Sequence, residues 1–267
     1  MDTSLRRASI REVVDRDGYA KLNSLSELFG VAPVTIHRDL DYLVTEGVLE
    51  RVRGGARSLS GLHHEIRTDF NLRRSQVIEQ KRAIARRALD EIPDGATVFF
   101  DASTTVLELA LELEQDASRS LTIVTNSPAI AFMLHAPYIR VIVTPGEVDQ
   151  SLRAITGLWT AEFLGGLSLD TAFVSAAGLT VSGGLMTTQR ELAEITKTVF
   201  ARSERRIALV DSTKFDAPAL LSMAPLGQLD LVITDAEMLS SVEKKYVDGG
   251  LPLVRAPGNA PSRGRQS

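Results

Sequence analysis

The sequence predicts an α/β chain in two unequal parts, a small, mainly helical N-terminal unit and a larger, mostly parallel α/β domain. Three observations carry this expectation. Two short amphipathic helical patterns, parted by Gly30 and Pro33, precede a pair of glycines set among arginines at 51–57. From about residue 75 to 255, short β-branched runs alternate with helical patterns, as expected of a parallel sheet whose crossovers are helices. Nearly every one of those runs stops in small or charged polar residues, which a parallel sheet gathers on one edge.

The first unit is read from LNSLSELFGVAPVTIHRDLDYLVTEGVLERVRGGAR, residues 22–57. Ser24 is placed to cap the first helix and Glu27 to close a capping box, with Leu25, Leu28 and Phe29 as the apolar face. Gly30 ends that helix. Pro33 suits the first turn of the next, Ile36, Leu40 and Leu43 recur at i, i+4 and i+7, and Gly47 closes it. The side chains left outside, Thr35, His37 and Arg38, stand near its N-terminus, the end that a recognition helix presents to the major groove. Arg51, Arg53 and Arg57 flank Gly54-Gly55, so a tight turn would set them on a wing against phosphates or in the minor groove. Helix, turn, helix and basic hairpin in this order outline a winged helix-turn-helix, with double-stranded DNA as its partner. The competing reading is a solvated helical hairpin with a few surface arginines.

Composition bounds the rest. The chain has 267 residues, 44% of them apolar, which is enough for one small and one ordinary core. With no cysteine there is neither a disulfide framework nor a thiolate site, and a reducing, cytoplasmic setting is expected. No apolar run is long enough to cross a membrane, and MDTSLRRASIREVV lacks the apolar core of a signal segment. The net charge of −4 argues against general affinity for nucleic acid, so local clusters matter more. Arg73, Arg74, Lys81, Arg82, Arg86 and Arg87 form one such cluster on a helix expected to begin near Ser75; its plain reading is a solvated face, its alternative a second DNA contact. His63 and His64 in the connector lack nearby ligands at metal spacing, so no metal site and no cofactor is expected. These limits divide the chain into a DNA-binding domain at 1–57, a linker at 58–74, an effector-sensing α/β domain at 75–255 and a disordered tail at 256–267.

In the long segment, strands are expected at 97–100, 121–124, 140–143, 171–174, 207–210 and 229–233, with helices at 105–113, 129–134, 160–164 and 191–201. The runs end in Asp101-Ala-Ser-Thr-Thr105, Thr125-Asn-Ser127, Ser175 with Gly178, Asp211-Ser-Thr-Lys214 and Thr234-Asp235. Ser103, Thr104 and Thr105 between a strand and a helix suit a phosphate cradle, and Lys214 could add a point charge to the same anion. Asp101, Asn126 and Asp211 could bind sugar hydroxyls, although caps and turns would explain them equally well. Glu191, Glu194 and Lys197 share a helical face, so the glutamates are either ligand-side groups or, for Glu194, a surface partner of Lys197.

These residues resemble the DeoR family of bacterial transcriptional regulators. GVAPVTIHRDLDYLVTEGVLERVRGGA resembles its helix-turn-helix and wing, and FFDASTTVLELA its phosphate loop. LTIVTNSPAIA, DTAFVSAAGL, ALVDSTKF and DLVITD match later blocks in order. The chain departs from the family pattern at Ala32, His37, Arg53, Ser103 and Pro145. The resemblance implies a winged helix joined to a sensing domain with the fold of ribose-5-phosphate isomerase, an oligomer, and a repressor of sugar operons that a phosphorylated sugar switches. The alternative is a sugar-phosphate isomerase fused to a DNA-binding unit. Such chemistry needs a base and support for enediolate charge, and Ser175-Ala-Ala-Gly178 stands where the resembled isomerases carry acids, so no enzyme activity is expected.

Overall fold

The computed structural model describes residues 3–17, 19–46, 48–52, 54–58, 70–116 and 119–258, which fall into two compact units dividing at Arg73 and Arg74. Gly47, Arg53, His63, His64 and most of the expected tail lie outside the described residues.

In the first unit, α1 (Thr3–Asp17), β1 (Tyr19–Lys21), α2 (Leu22–Phe29) and α3 (Pro33–Thr45) precede a hairpin of β2 (Leu49–Val52) and β3 (Gly55–Ser58). The sheet order is β1-β3-β2, all antiparallel, so the hairpin is the wing of a winged helix-turn-helix. Gly30 takes the left-handed conformation that ends α2, and Pro33 opens α3 as expected. Ile36, Leu40 and Leu43 close on Ile10, Val14, Leu25 and Leu49 to form the core.

Two expectations at α2 are corrected. Ser24 is not the cap: β1 runs directly into the helix, Leu22 N–H donates to Gly54 O at 3.0 Å, and Lys21 holds the cap position without a side-chain bond. That earlier start places Ser24 in the first turn and sets the helical phase so that Leu22, Leu25 and Phe29 face inward, leaving Leu28 61% exposed.

The division falls within α4 (Phe70–Ser75), and the second unit continues with α5 (Ile78–Leu89), separated from α4 at Val77 by a left-handed residue, where one helix from Ser75 was expected. Then follow β4 (Thr97–Phe100), α6 (Thr104–Glu114), β5 (Leu121–Thr125), α7 (Pro128–Met133) and β6 (Ile139–Val143). After a hairpin of β7 (Glu147–Asp149) and β8 (Ala154–Thr156) come α8 (Leu158–Gly165), β9 (Leu169–Val174), β10 (Gly178–Thr180), β11 (Gly184–Thr187) and α9 (Arg190–Phe200). The chain continues through β12 (Ser203–Leu209), β13 (Leu221–Ala224), β14 (Leu231–Thr234), α10 (Ser240–Asp248) and β15 (Leu253–Arg255).

Seven strands form one parallel sheet in the order β15-β14-β12-β9-β4-β5-β6. From β4 the chain first builds outward through β5 and β6, then returns to place β9 on the other side of β4. The crevice between the ends of β4 and β9 is therefore the topological switch point, where ligands of open α/β sheets bind. Phe99, Phe100 and Phe173 fill the centre, the last two edge to face at 5.5 Å.

The basic cluster at 73–87 is answered by acids. Arg74 and Arg82 lie against Glu108 of α6, Arg86 against Glu112, and Arg87 against Asp90 and Glu91. Lys81 is buried and donates to Gln76 O at 2.9 Å, so it does not belong to a solvated face.

A buried ion pair fixes α3 on α1. Asp39, 2% exposed, accepts Arg6 Nε at 2.7 Å and Arg7 Nε at 2.9 Å. Removing the carboxylate strands a buried guanidinium, so Asp39→Ala should destabilise the N-terminal unit by about 3–5 kcal/mol. Arg7→Ala should cost less, because Arg7 is the more exposed partner. Thermal melts followed by circular dichroism would show the larger downward shift for Asp39→Ala.

Candidate functional site

The surface of α3 is the candidate nucleic-acid interface. Val34, His37, Arg38 and Asp41 are exposed, while Thr35 is half-buried. Arg38 has no partner among the described residues, and it stands in the first turns of the helix, where side chains reach base edges. His37 Nδ1 lies 2.8 Å from Asp41 Oδ2, and Arg51 Nε lies 3.6 Å from Asp41 Oδ1. Arg51 also donates to Gly55 O at 3.3 Å, so it braces the wing. Asp41 thus gathers two of the expected contact residues, and Arg53 lies outside the described ones. Three contributors were missed from sequence. Val34, 58% exposed, offers an apolar contact of the kind made with a thymine methyl, and the Arg6/Arg7 clamp on Asp39 orients the helix.

In the second unit, the polar strand ends meet at the switch point. Asp101 ties them together: Oδ1 accepts Ser103 N–H at 3.0 Å and Oδ2 accepts Ser175 N–H at 2.8 Å, joining the β4–α6 loop to the end of β9. Ser103 caps α6 by accepting Val106 N–H at 3.2 Å, and Thr104 and Thr105 are buried in its first turn. Ala102 of this loop packs with Leu152 and Ala154 of the β7–β8 hairpin, and Leu192 of α9 closes on the same cluster. That contact brings the first turn of α9, with the exposed Glu191, to the rim of the loop. Glu194 instead pairs with Lys197 at 3.2 Å on the surface.

Asn126 is 1% exposed, and its Nδ2 donates to Ile155 O at 3.2 Å. Its Oδ1 has no hydrogen-bond partner among the described residues, and neither does Thr144 Oγ1 or Thr234 Oγ1, which also lie at strand ends. Asp211 caps the short helix Ser212–Lys214 by accepting Thr213 N–H at 3.2 Å and is close to Thr213 Oγ1. Asp235 similarly accepts Ser212 N–H at 2.7 Å and Glu237 N–H at 3.0 Å.

Lys214 is half-buried and has no ion-pair partner among the described residues. Its loop is held from behind. An added Cβ on Gly178 would stand 1.8 Å from Ala217 O, so only glycine lets the loop approach β10 this closely. Tyr246 of α10, buried and edge to face with Phe215 at 5.0 Å, sets its hydroxyl 2.8 Å from Leu179 O and 2.9 Å from Asp216 Oδ1. Burial first, with the Asp216 charge beside it, pushes the Tyr246 phenol up to about 12. The hydrogen bond from Lys245 holds the Asp216 carboxyl below the usual aspartate range. Tyr246 was missed because a single tyrosine in an otherwise charged helix carries no local sign of the loop that it supports.

Tyr246→Phe should cost about 1–2 kcal/mol, since the loop amide and carbonyl lose a buried partner, and should loosen the Lys214 loop in hydrogen exchange. For Asp216 the folded value lies below the unfolded one. Its contribution to stability is therefore full above the ordinary aspartate value and is lost as pH falls through the depressed one. Lys245→Met should move the Asp216 titration back up, as followed by carboxyl carbon NMR.

Residues 76–236 match the DeoR C terminal sensor domain, and residues 6–61 match the DeoR-like helix-turn-helix domain. The HTH-type transcriptional regulator GolR of Listeria innocua is 32% identical over 93% of this chain and 96% of its own. The glycerol-3-phosphate regulon repressor of Escherichia coli is 30% identical over 95% of this chain and 99% of its own. Among solved structures, ribose 5 phosphate isomerase A from Neisseria gonorrhoeae aligns over 51% of this chain and 52% of its own, at 16% identity and a TM-score of 0.38. The match of both domains and the relatives along nearly the whole chain establish that this protein belongs to the DeoR family of helix-turn-helix transcriptional regulators.

Proposed function

We propose that this regulator represses a sugar-metabolism operon in the cytoplasm, binding operator DNA through α3 and the wing, and that a phosphorylated sugar or related metabolite at the switch point alters its operator affinity. The observation that carries the sensing half is the crevice itself: a capped helix N-terminus, a buried acceptor at Asn126 and the Lys214 cation, the last two without partners among the described residues, all belong to the carboxyl edge of one sheet. The first-turn amides of α6 at Thr104 and Thr105 would face the phosphate, where the helix dipole favours an anion. Lys214 would add charge, and Asn126 Oδ1 would accept a hydroxyl hydrogen. Asp101 and Asp211 would border the ligand while holding the two loops through backbone amides. Glu191, at the rim and without a partner among the described residues, is the better ligand-side candidate than Glu194, which is paired. Names among the relatives, a glycerol-3-phosphate regulon repressor and a lactose phosphotransferase system repressor from Staphylococcus epidermidis, favour sugar metabolism.

The isomerase reading loses ground on chemistry. Ser175, Ala176 and Ala177 offer no carboxylate beside the crevice, and a lone Glu191 lacks support for developing oxyanion charge. Binding without turnover is the expected behaviour. If carbon-bound protons of ribose 5-phosphate exchanged into deuterated water at an enzyme-like rate, and Glu191→Gln abolished it, the fused-enzyme reading would win.

Arg38→Ala should weaken operator binding by about 1–3 kcal/mol and relax preference at one or two base pairs, whereas Arg51→Ala should weaken all sequences and flatten the salt slope. Gel shifts across salt concentrations separate these outcomes. A phosphorylated sugar should bind far more tightly than its dephosphorylated analogue, and Lys214→Ala should narrow the gap. Calorimetry with matched pairs reads this, and equal affinity for both forms would exclude the phosphate cradle.

A further inference from the structure

We propose that His37 reads one operator base through its outer ring nitrogen, and that its own proton decides which: cytosine or adenine when the ring is neutral, guanine or thymine when it is charged. The inference rests on the proposed use of α3 as the recognition helix and adds the chemistry of one contact to it.

Val34, His37, Arg38 and Asp41 stand at i, i+3, i+4 and i+7, and all four are exposed, away from the core residues Ile36, Leu40 and Leu43. One stripe of the helix therefore carries them, with His37 between the apolar Val34 and the acid Asp41. His37 Nδ1 lies 2.8 Å from Asp41 Oδ2, one turn further on. An ionised carboxylate only accepts, so the hydrogen of this bond belongs to Nδ1. That assigns the tautomer: in the neutral ring Nε2 carries a lone pair, and it has no hydrogen-bond partner among the described residues. The His37 side chain is 56% exposed, and with Nδ1 engaged, Nε2 is the nitrogen left for a base edge.

The charges around the ring come from several elements. On its own helix it meets Asp41, with Arg38 beside it in sequence. From β2, Arg51 Nε stands 3.6 Å from the other Asp41 oxygen. Arg51 offsets the Asp41 charge, so the acid holds the ring without turning an uncompensated negative charge toward phosphates. From α1, Arg6 and Arg7 are committed to the buried Asp39. α2 carries a single ionisable residue, Glu27, which is exposed and forms no ion pair among the described residues. In the major groove cytosine offers only its N4 donor, and guanine only the N7 and O6 acceptors. A lone pair on Nε2 therefore selects cytosine over guanine, with adenine N6 as the other donor, and a hydrogen on Nε2 reverses the choice. Histidine is the side chain that passes from one form to the other between about pH 5 and 8.

Selection by the intact chain from a pool of randomised duplexes, run at about pH 8 and again at about pH 5.5, tests this directly. One position of the selected site should pass from cytosine or adenine at the higher pH to guanine or thymine at the lower. Matched duplexes differing only there should reverse their order of affinity, by at least about fivefold each way. His37→Arg, which only donates, should hold guanine at both pH values, and His37→Gln should hold adenine. Circular dichroism should not change in either variant, because the side chain is exposed. Asp41→Asn, whose amide meets Nδ1 as donor or acceptor, should blur the preference at that position at the higher pH and spare the others. Titration elsewhere in the chain would alter affinity for all sequences alike, and the His37→Arg control separates the two. Identical bases at both pH values, or an exchange that survives in His37→Arg, would overturn the proposal and leave α3 standing as the recognition helix. Recovery of no sequence at either pH would remove the DNA surface itself, and this proposal with it.

Discussion

Asp101 sends its two carboxylate oxygens into two different loops, and the sensor unit is organised around that division. One oxygen fixes the amide of Ser103 and so the start of α6; the other fixes the amide of Ser175 at the end of β9. These are the strands between which the sheet reverses its direction of growth. Without a tie at that point, two crossover connections would diverge over the crevice with unsatisfied amides. With it, the capped helix N-terminus, the hairpin carrying Leu152 and Ala154, and Leu192 of α9 close on Ala102 as one small cluster. The tie is charge-assisted and largely screened from water, which makes it stronger and more directional than the apolar contacts around it.

The DNA-binding unit uses a related device with a different consequence. Asp39 is buried on the inner side of α3 and held by two arginines from α1, while Arg38 next to it points outward. Neighbouring residues on a helix diverge by about 100°, so the same turn locks the helix to its scaffold and presents a cation to solvent. Arg7 also stacks over Tyr42 at 3.8 Å, extending the clamp along the helix. The second acid, Asp41, holds His37 and Arg51 at the exposed face. Contact with phosphates would then have to draw Arg51 away from Asp41, an exchange of one partner for another that weakens as salt rises.

What the sequence made legible followed periodicity. Strands such as 97–100 and 171–174 stood out because a strand covered on both faces is apolar throughout, and the helices between them because one face repeats. The short hairpins did not: β7, β8 and β10 have three residues each, too few for alternation to show. The start of β12 was missed because SERR is polar, although Ser203 pairs with Leu169 at the lower end of the sheet. Ser24 misled for a different reason, since a capping-box pattern is local whereas the helix start was fixed by β1 and its bond to the wing. For the candidate sites, residue type at strand ends marked the crevice, but division of labour within it was not readable. Whether an aspartate meets a ligand or a loop amide depends on chain segments dozens of residues apart, as for Asp101 and Ser175.

That division bears on the chemistry proposed for the crevice. Asp101 and Asp235 each face two backbone amides, and Asp211 faces one amide and the hydroxyl of Thr213, and the dipoles that fix the loops also offset the carboxylate charges. An uncompensated carboxylate beside the first turn of α6 would repel a phosphate, whereas one committed to amides imposes much less of that penalty. Among the described residues, the buried groups at the strand ends left without hydrogen-bond partners are Asn126 Oδ1, Thr144 Oγ1 and Thr234 Oγ1, all neutral; Lys214 adds a cation, and the one unpaired acid, Glu191, stands exposed at the rim. A neutral, hydrogen-bonding lining with one positive charge matches a polyhydroxylated anion better than it matches proton abstraction, which would rest on Glu191 alone at the rim. The acids at the strand ends therefore favour sensing because their charge is already engaged by the fold.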